Sequence, residues 1–276
     1  MVRTVAIEQI SSPANPRVKT LRALERKKTR LETGLFIAEG PRLVQQGLDR
    51  GWHLDTLAVA EASLTLPHID ELVRAAASAG AFVFSAPERV MSKIARKDNP
   101  NAVVGAFAQQ TVGLEDLAST SQSALIALYE VRDPGNLGTI LRTADCAGIA
   151  GVILVGTCCD RFSIEAVRAS MGSIFDVPVA AVDFDAFDSW RRAQGRRCIA
   201  ASMNGTVRHD EADLASRAIL LMGNEQSGLP SEVEAACDVL VRIPMRGGAD
   251  SLNLAQATAI LTYEAWRQAG FEGAAE

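Results

Sequence analysis

From about residue 124 the chain alternates short, unbroken apolar runs with longer amphipathic stretches. The runs at 124–129, 152–155, 179–182, 198–201, 219–222 and 239–243 have strand length and almost no polar positions. Such runs, separated by helical stretches, predict a mostly parallel sheet buried on both faces. A final helix is expected over 251–268. The first 110 residues carry a weaker alternation. It predicts strands at 36–38, 57–60, 81–84 and 102–107, and helices at 17–31, 41–50, 69–79 and 87–94, with Pro41 suiting a helix start. Between the two patterns lies a polar stretch rich in Thr, Ser and Gly. The chain therefore reads as an α/β protein with a smaller domain at 1–110, a linker at 111–122 and a larger domain at 123–276.

Composition adds limits. No apolar run approaches the ~18 residues of a membrane span, and the first ten residues lack the apolar segment of a secretory signal. Five cysteines without C-x-x-C spacing suggest neither a disulfide framework nor a zinc site, so a cytoplasmic, metal-free protein is expected. Adjacent Cys158 and Cys159 read as small fillers after a strand. Net charge is −5, but it is unevenly spread. Residues 1–110 hold 15 Lys and Arg against 11 Asp and Glu, whereas residues 111–276 hold 13 against 22. All five lysines fall in the first part. That asymmetry fits a polyanion-binding module attached to a catalytic one, although a solvated basic helix face has the same composition.

Three segments carry the chemistry. After the 124–129 run comes Asp133-Pro-Gly-Asn136, which is turn chemistry with Asn136 at the expected N-cap. Leu137, Ile140, Leu141, Ala144 and Gly148 then fall on one helical stripe, with Arg142 opposite it. A capped helix with a solvated arginine has this local sequence, and so does a phosphate clamp. The second segment, Gly223-Asn-Glu-Gln-Ser-Gly-Leu229, ends a strongly apolar strand, where parallel sheets bind ligands. Its Glu225 reads either as an ordinary turn residue or as a site acid. Downstream, Ser231 and Glu234 match an S-x-x-E capping box. The third segment is Ile243-Pro-Met245 followed by a glycine-rich loop and Ser251-Leu-Asn253, with Ser251 expected to cap the last helix. The chain contains neither G-K-[ST] nor G-x-G-x-x-G, so phosphate-loop and Rossmann dinucleotide readings lose their main support.

The joint pattern N-x-G-x-x-x-R, G-N-E-x-x-G-L and I-P-M with S-L-N resembles the SpoU (TrmH-like) branch of RNA 2′-O-ribose methyltransferases of the SPOUT superfamily. It covers about 150 residues, from Ala124 onward. Ser11 to Lys19 and Gly34 to Gly40 resemble that family's accessory RNA-binding domain, an α/β fold similar to certain ribosomal proteins. The resemblance implies a deep trefoil knot in the second domain, an exception to the rule against threading. It implies S-adenosylmethionine as methyl donor, a homodimer, and RNA as substrate, ribosomal RNA before transfer RNA. An antibiotic-resistance methyltransferase would share every motif. A non-catalytic RNA-binding homologue is the reading from a different class.

Catalytic positions carry over to Asn136, Arg142, Glu225, Ser251 and Asn253. Cofactor contacts carry over to Met222, Gly223, Asn224, Gly228, Ile243, Met245 and Leu252. The basic residues Lys19, Arg22, Arg26, Lys27, Lys28, Arg30, Lys93 and Lys97 are expected to face RNA. Two stretches depart from the family pattern: Asp160-Arg-Phe-Ser163, and Gln256 after the last motif.

Overall fold

The computed structural model describes residues 7–96, 99–118, 123–248 and 250–274. The chain divides into two compact units. One takes Met1–Gln110 together with Phe162–Phe175, and the other Thr111–Arg161 with Asp176–Glu276.

The first unit opens with β1 (Glu8–Gln9), α1 (Pro16–Ala23), α2 (Lys27–Thr33), β2 (Leu35–Glu39) and α3 (Pro41–Asp49). It continues with β3 (Leu54–Ala60), α4 (Pro67–Ser78), β4 (Phe82–Ala86), α5 (Glu88–Ala95) and β5 (Val103–Ala108). Its five strands run in the order β1-β4-β3-β5-β2. β4 pairs in parallel with β1 and β3, while β5 is antiparallel to β2 and β3. Asn15 caps α1, accepting from Arg17 N at 2.8 Å, with Pro16 in the first turn.

The single helix expected at 17–31 is two helices. The buried Arg30 guanidinium donates to the carbonyls of Leu24 and Glu25 at 2.8 and 2.7 Å, which satisfies orphan groups at the end of α1. Arg26 is extended (φ −85°, ψ 129°) and starts α2. The segment Phe162–Phe175 contains α8 (Ile164–Ala169). Phe162 and Phe175 lie 4.7 and 5.9 Å from Phe36, ring centre to ring centre. Trp52 Nε1 donates to the Phe175 carbonyl at 3.1 Å.

The second unit contains α6 (Leu114–Ala118), β6 (Leu125–Tyr129), α7 (Pro134–Cys146), β7 (Val152–Val155), β8 (Val179–Val182) and α9 (Phe184–Ala193). It ends with β9 (Arg197–Ala201), β10 (Val207–Arg208), β11 (Ala218–Met222), α10 (Ser231–Ala236), β12 (Val239–Arg242) and α11 (Leu254–Gln268). The short α6 falls inside the stretch expected as linker, and its Leu117 is fully buried beside Leu125 and Trp190. All seven strands are parallel, in the order β10-β12-β9-β11-β6-β7-β8. β11 has no exposed position, as expected of a central strand covered on both faces. Its carboxyl end lies between those of β6 and β9, and α11 packs against α7.

Candidate active site at the carboxyl ends of β6, β9, β11 and β12

Glu225 organises the loop between β6 and α7. Its carboxylate accepts from the backbone N–H of Arg132 at 3.0 Å and of Asp133 at 3.1 Å, and from Asn136 Nδ2 at 3.3 Å. Burial raises the Glu225 carboxyl's pKa, but these donors outweigh it and the net shift is downward. With two amides drawn toward Glu225, Asp133 becomes the N-cap of α7, accepting from Asn136 N at 2.7 Å. Asn136 therefore stands inside the first turn, not at the cap expected for it. Its side chain is freed to bridge, since Asn136 Oδ1 accepts from Asn253 Nδ2 at 3.0 Å.

Asn253 caps α11 through Oδ1, which accepts from Ala255 N at 2.9 Å and Gln256 N at 3.4 Å. The cap expected at Ser251 thus falls two residues later, and Ser251 is exposed ahead of the helix. The result is a continuous polar chain, Asn253 to Asn136 to Glu225, linking the second and third motifs through the first.

The turn after β11 closes on itself. Asn224 and Gly228 exchange backbone hydrogen bonds of 2.9 and 3.0 Å. Asn224 Oδ1 accepts from Gln226 N and Ser227 N, while its Nδ2 donates to the Glu130 carbonyl at 2.8 Å. A Cβ at Gly223 would stand 2.5 Å from the carbonyl carbon of Gly228, so only glycine fits there.

Beside this turn is a cavity of about 360 Å³. It is lined by Met222, Gly223, Asn224, Glu225, Gly228, Ile243, Met245, Ser251 and Leu252, all drawn from the expected site. Asn136, Arg142 and Asn253 are not in this lining. Asn136 and Asn253 join the site through Glu225. Arg142 is exposed on α7, away from the buried Leu137, Ile140, Leu141 and Ala144, and Gly148 lies beyond the helix end.

Among the lining residues that the sequence reading did not place at the site are Ser202, Asn204 and Glu234. Glu234 and Ser231 do not form the expected capping box. Pro230 holds the cap position of α10 without a side-chain bond, and the Glu234 carboxylate turns to Ser202 Oγ and Asn204 Nδ2.

Cys158 and Cys159 stay protonated at neutral pH. Burial pushes both thiols up, Cys159 to about 12 with help from Cys158 and Glu225. Among the described residues no group of three or more His, Cys, Asp or Glu is placed to hold a metal ion, and no helix is long and apolar enough to cross a membrane.

Of the basic residues, Lys19, Arg22, Arg26, Lys27, Lys28 and Lys93 are exposed in the first unit. Arg30, grouped with them from its position in sequence, is instead buried as the α1 end-group described above. Lys97 lies outside the described residues.

The sequence profile of the SpoU rRNA Methylase family matches residues 123–263, and that of the MRM3-like substrate binding domain matches residues 15–105. The chain is 30% identical to a 23S rRNA (uridine(2479)-2′-O)-methyltransferase of Streptomyces viridochromogenes, covering 96% of this chain and 94% of that protein. It is 27% identical to a 23S rRNA (guanosine(2553)-2′-O)-methyltransferase of Bacillus subtilis, covering 93% and 98%. A crystal structure of an AdoMet-bound rRNA methyltransferase from Sinorhizobium meliloti superposes with a TM-score of 0.88 at 45% identity, covering 95% of this chain and 98% of that one. Motifs, fold and relatives agree: the chain belongs to the SpoU rRNA methylase family.

Proposed function

We propose that this protein transfers a methyl group from S-adenosylmethionine to a ribose 2′-hydroxyl of RNA, with ribosomal RNA as substrate. The observation that carries the reading is the Asn253–Asn136–Glu225 chain beside a ligand-sized cavity. The cavity fits the cofactor. Its volume lies within the range of about 300–1,000 Å³ of small-molecule pockets, and Met222, Ile243 and Leu252 give it apolar walls between polar loops. Met222, Gly223, Asn224, Gly228, Ile243, Met245 and Leu252 would hold the cofactor. When bound, it supplies a methyl group on a positively charged sulfur.

The protein's own task is alignment and proton handling. Asn136 has its amide orientation fixed at both ends, by Glu225 and Asn253, so it presents a defined face to the target ribose. Ser251 offers a hydroxyl at the cavity wall. Arg142 presents a planar guanidinium with five N–H donors and no acceptor. It acts as a phosphate clamp and lowers the hydroxyl's pKa through its charge, not as a literal base. The exposed cations of the first unit bind the RNA backbone.

A trefoil knot in the second unit, a homodimer and a cytoplasmic location complete the reading. The ribosomal substrate is favoured because two relatives spanning the chain carry 23S rRNA names. Those named for tRNA cytidine 34, from Ancylobacter novellus and Beijerinckia indica, cover about half of it. Mass-spectrometric mapping of 2′-O-methyl groups in RNA from cells with and without the protein tests the proposal. One ribosomal position should lose its methyl group. A missing mark in transfer RNA would move the substrate, and unchanged RNA would remove the activity.

A further inference from the structure

We infer that Glu234, positioned by Ser202 and Asn204, is the acceptor that recognises the vicinal ribose hydroxyls of the cofactor, an inference resting on the S-adenosylmethionine reading above. Glu234 lies in the wall of the same cavity, half-buried, on α10. One carboxylate oxygen accepts from Ser202 Oγ and the other from Asn204 Nδ2 at 3.2 Å. The loop bearing these donors is fixed in turn. Asn204 N donates to Ser202 Oγ at 3.0 Å, and a Cβ at Gly205 would lie 2.5 Å from the Val241 carbonyl carbon, pinning the loop to β12.

An ionised carboxylate has room for about four hydrogen bonds, and these two neutral donors occupy two. Among the described residues no cation forms an ion pair with Glu234. A held, half-desolvated acceptor with open lone pairs inside a ligand cavity calls for donors on the ligand.

S-adenosylmethionine offers three donor groups. The adenine amine has two N–H donors, but they diverge from one nitrogen and cannot both meet the two oxygens of one carboxylate. The α-ammonium sits beside its own carboxylate, which Glu234 would repel. Two adjacent hydroxyls match two carboxylate oxygens, the logic by which an acidic residue beside a parallel sheet reads a nucleotide ribose. Strand order supports this division of labour. β9 and β6 flank β11 on opposite sides. Glu225 engages the loop after β6, and Glu234 engages the loop after β9. One carboxylate thus serves the acceptor side of the site and the other the nucleoside.

The test is titration calorimetry on the full chain with S-adenosylhomocysteine, with 5′-methylthioadenosine, which keeps the diol but lacks the amino acid, and with its 2′,3′-dideoxy analogue. Glu234→Gln should weaken the first two ligands by a similar factor, about tenfold for a lost charged hydrogen bond. The dideoxy analogue should bind parent and variant equally. A loss confined to S-adenosylhomocysteine would assign Glu234 to the ammonium and overturn the inference, as would equal affinities throughout. If the variant unfolds early, the parent decides alone: equal affinity for the diol and dideoxy ligands overturns the inference. A parent that binds none of the three would overturn the cofactor reading itself, and this inference with it.

Discussion

Replacing Glu225 with glutamine removes one acceptor oxygen and little else. In the native loop each carboxylate oxygen receives a backbone N–H, from Arg132 or Asp133, and one also receives Asn136 Nδ2. Glutamine serves one of the two amides and turns an N–H₂ group toward the other. The lost bond and opposed donor together cost about 1–3 kcal/mol. Partial exposure lets water repay some of this, so about 2 kcal/mol is a fair centre. For a unit of roughly 150 residues that lowers the melting temperature by about 4–8 °C.

The acid dependence supplies a second reading. Because folding lowers the Glu225 pKa, its stabilising contribution is fully present above the ordinary carboxylate value of about 4.3. It is lost as pH falls through the lower folded value. Scanning calorimetry of parent and Glu225→Gln should therefore show a gap at pH 7 that closes toward pH 3. Equal melting at pH 7, or a gap that does not change with acid, would refute the assignment of Glu225 as the anchor of this loop.

Three further outcomes are expected. Arg142→Ala should abolish methyl transfer with cofactor affinity within a few-fold, and Arg142→Lys should be severely impaired because a point charge cannot replace a planar fork. Near-parental turnover by the lysine variant, measured with tritiated cofactor, would count against the clamp. Gly223→Ala places a methyl group against the Gly228 backbone and should cost several-fold in cofactor affinity by calorimetry, while Gly248→Ala, with open space around it, should change nothing. Neutralising exposed Lys27 and Lys28 should weaken RNA binding and flatten its salt dependence without altering stability. Arg30→Ala should do the reverse, lowering the melting temperature of the first unit, and filter binding over a salt series separates the two.

Six of the seven strands of the second unit were legible as apolar runs, most clearly the 219–222 run, where burial on both faces leaves no polar position to interrupt it; the two-residue β10 was not. The site motifs were legible as positions but not as roles. Asp133 and Asn136 are both good caps, and local sequence does not choose between them; Glu225, some 90 residues away, does, by drawing the Asp133 amide inward. Ser251 and Asn253 pose the same ambiguity, settled by the Asn136 partner. The break in the first helix depended on a long arginine folding back over the preceding turn. Glu234 was hidden by a complete local explanation, the S-x-x-E box, while its real partners Ser202 and Asn204 lie about 30 residues upstream. Tertiary neighbours decided each of these cases except the helix break, where the arginine lies only five to six residues from the carbonyls it holds.

The strand order also sets a timetable for biosynthesis. Leu125 of β6 pairs with Ile219 of β11, so roughly 90 residues must be translated between the two, about 5–20 s at common elongation rates. Once β7 is made, β6 has it on one side and an open, apolar edge on the other until β11 follows. β9 waits as well, since both of its neighbours, β11 and β12, are made after it. Unpaired strand edges of this kind invite association with other chains. The nascent protein is thus most exposed to aggregation just before the loops of its candidate site can form, and slower translation through residues 160–218 would lengthen that window.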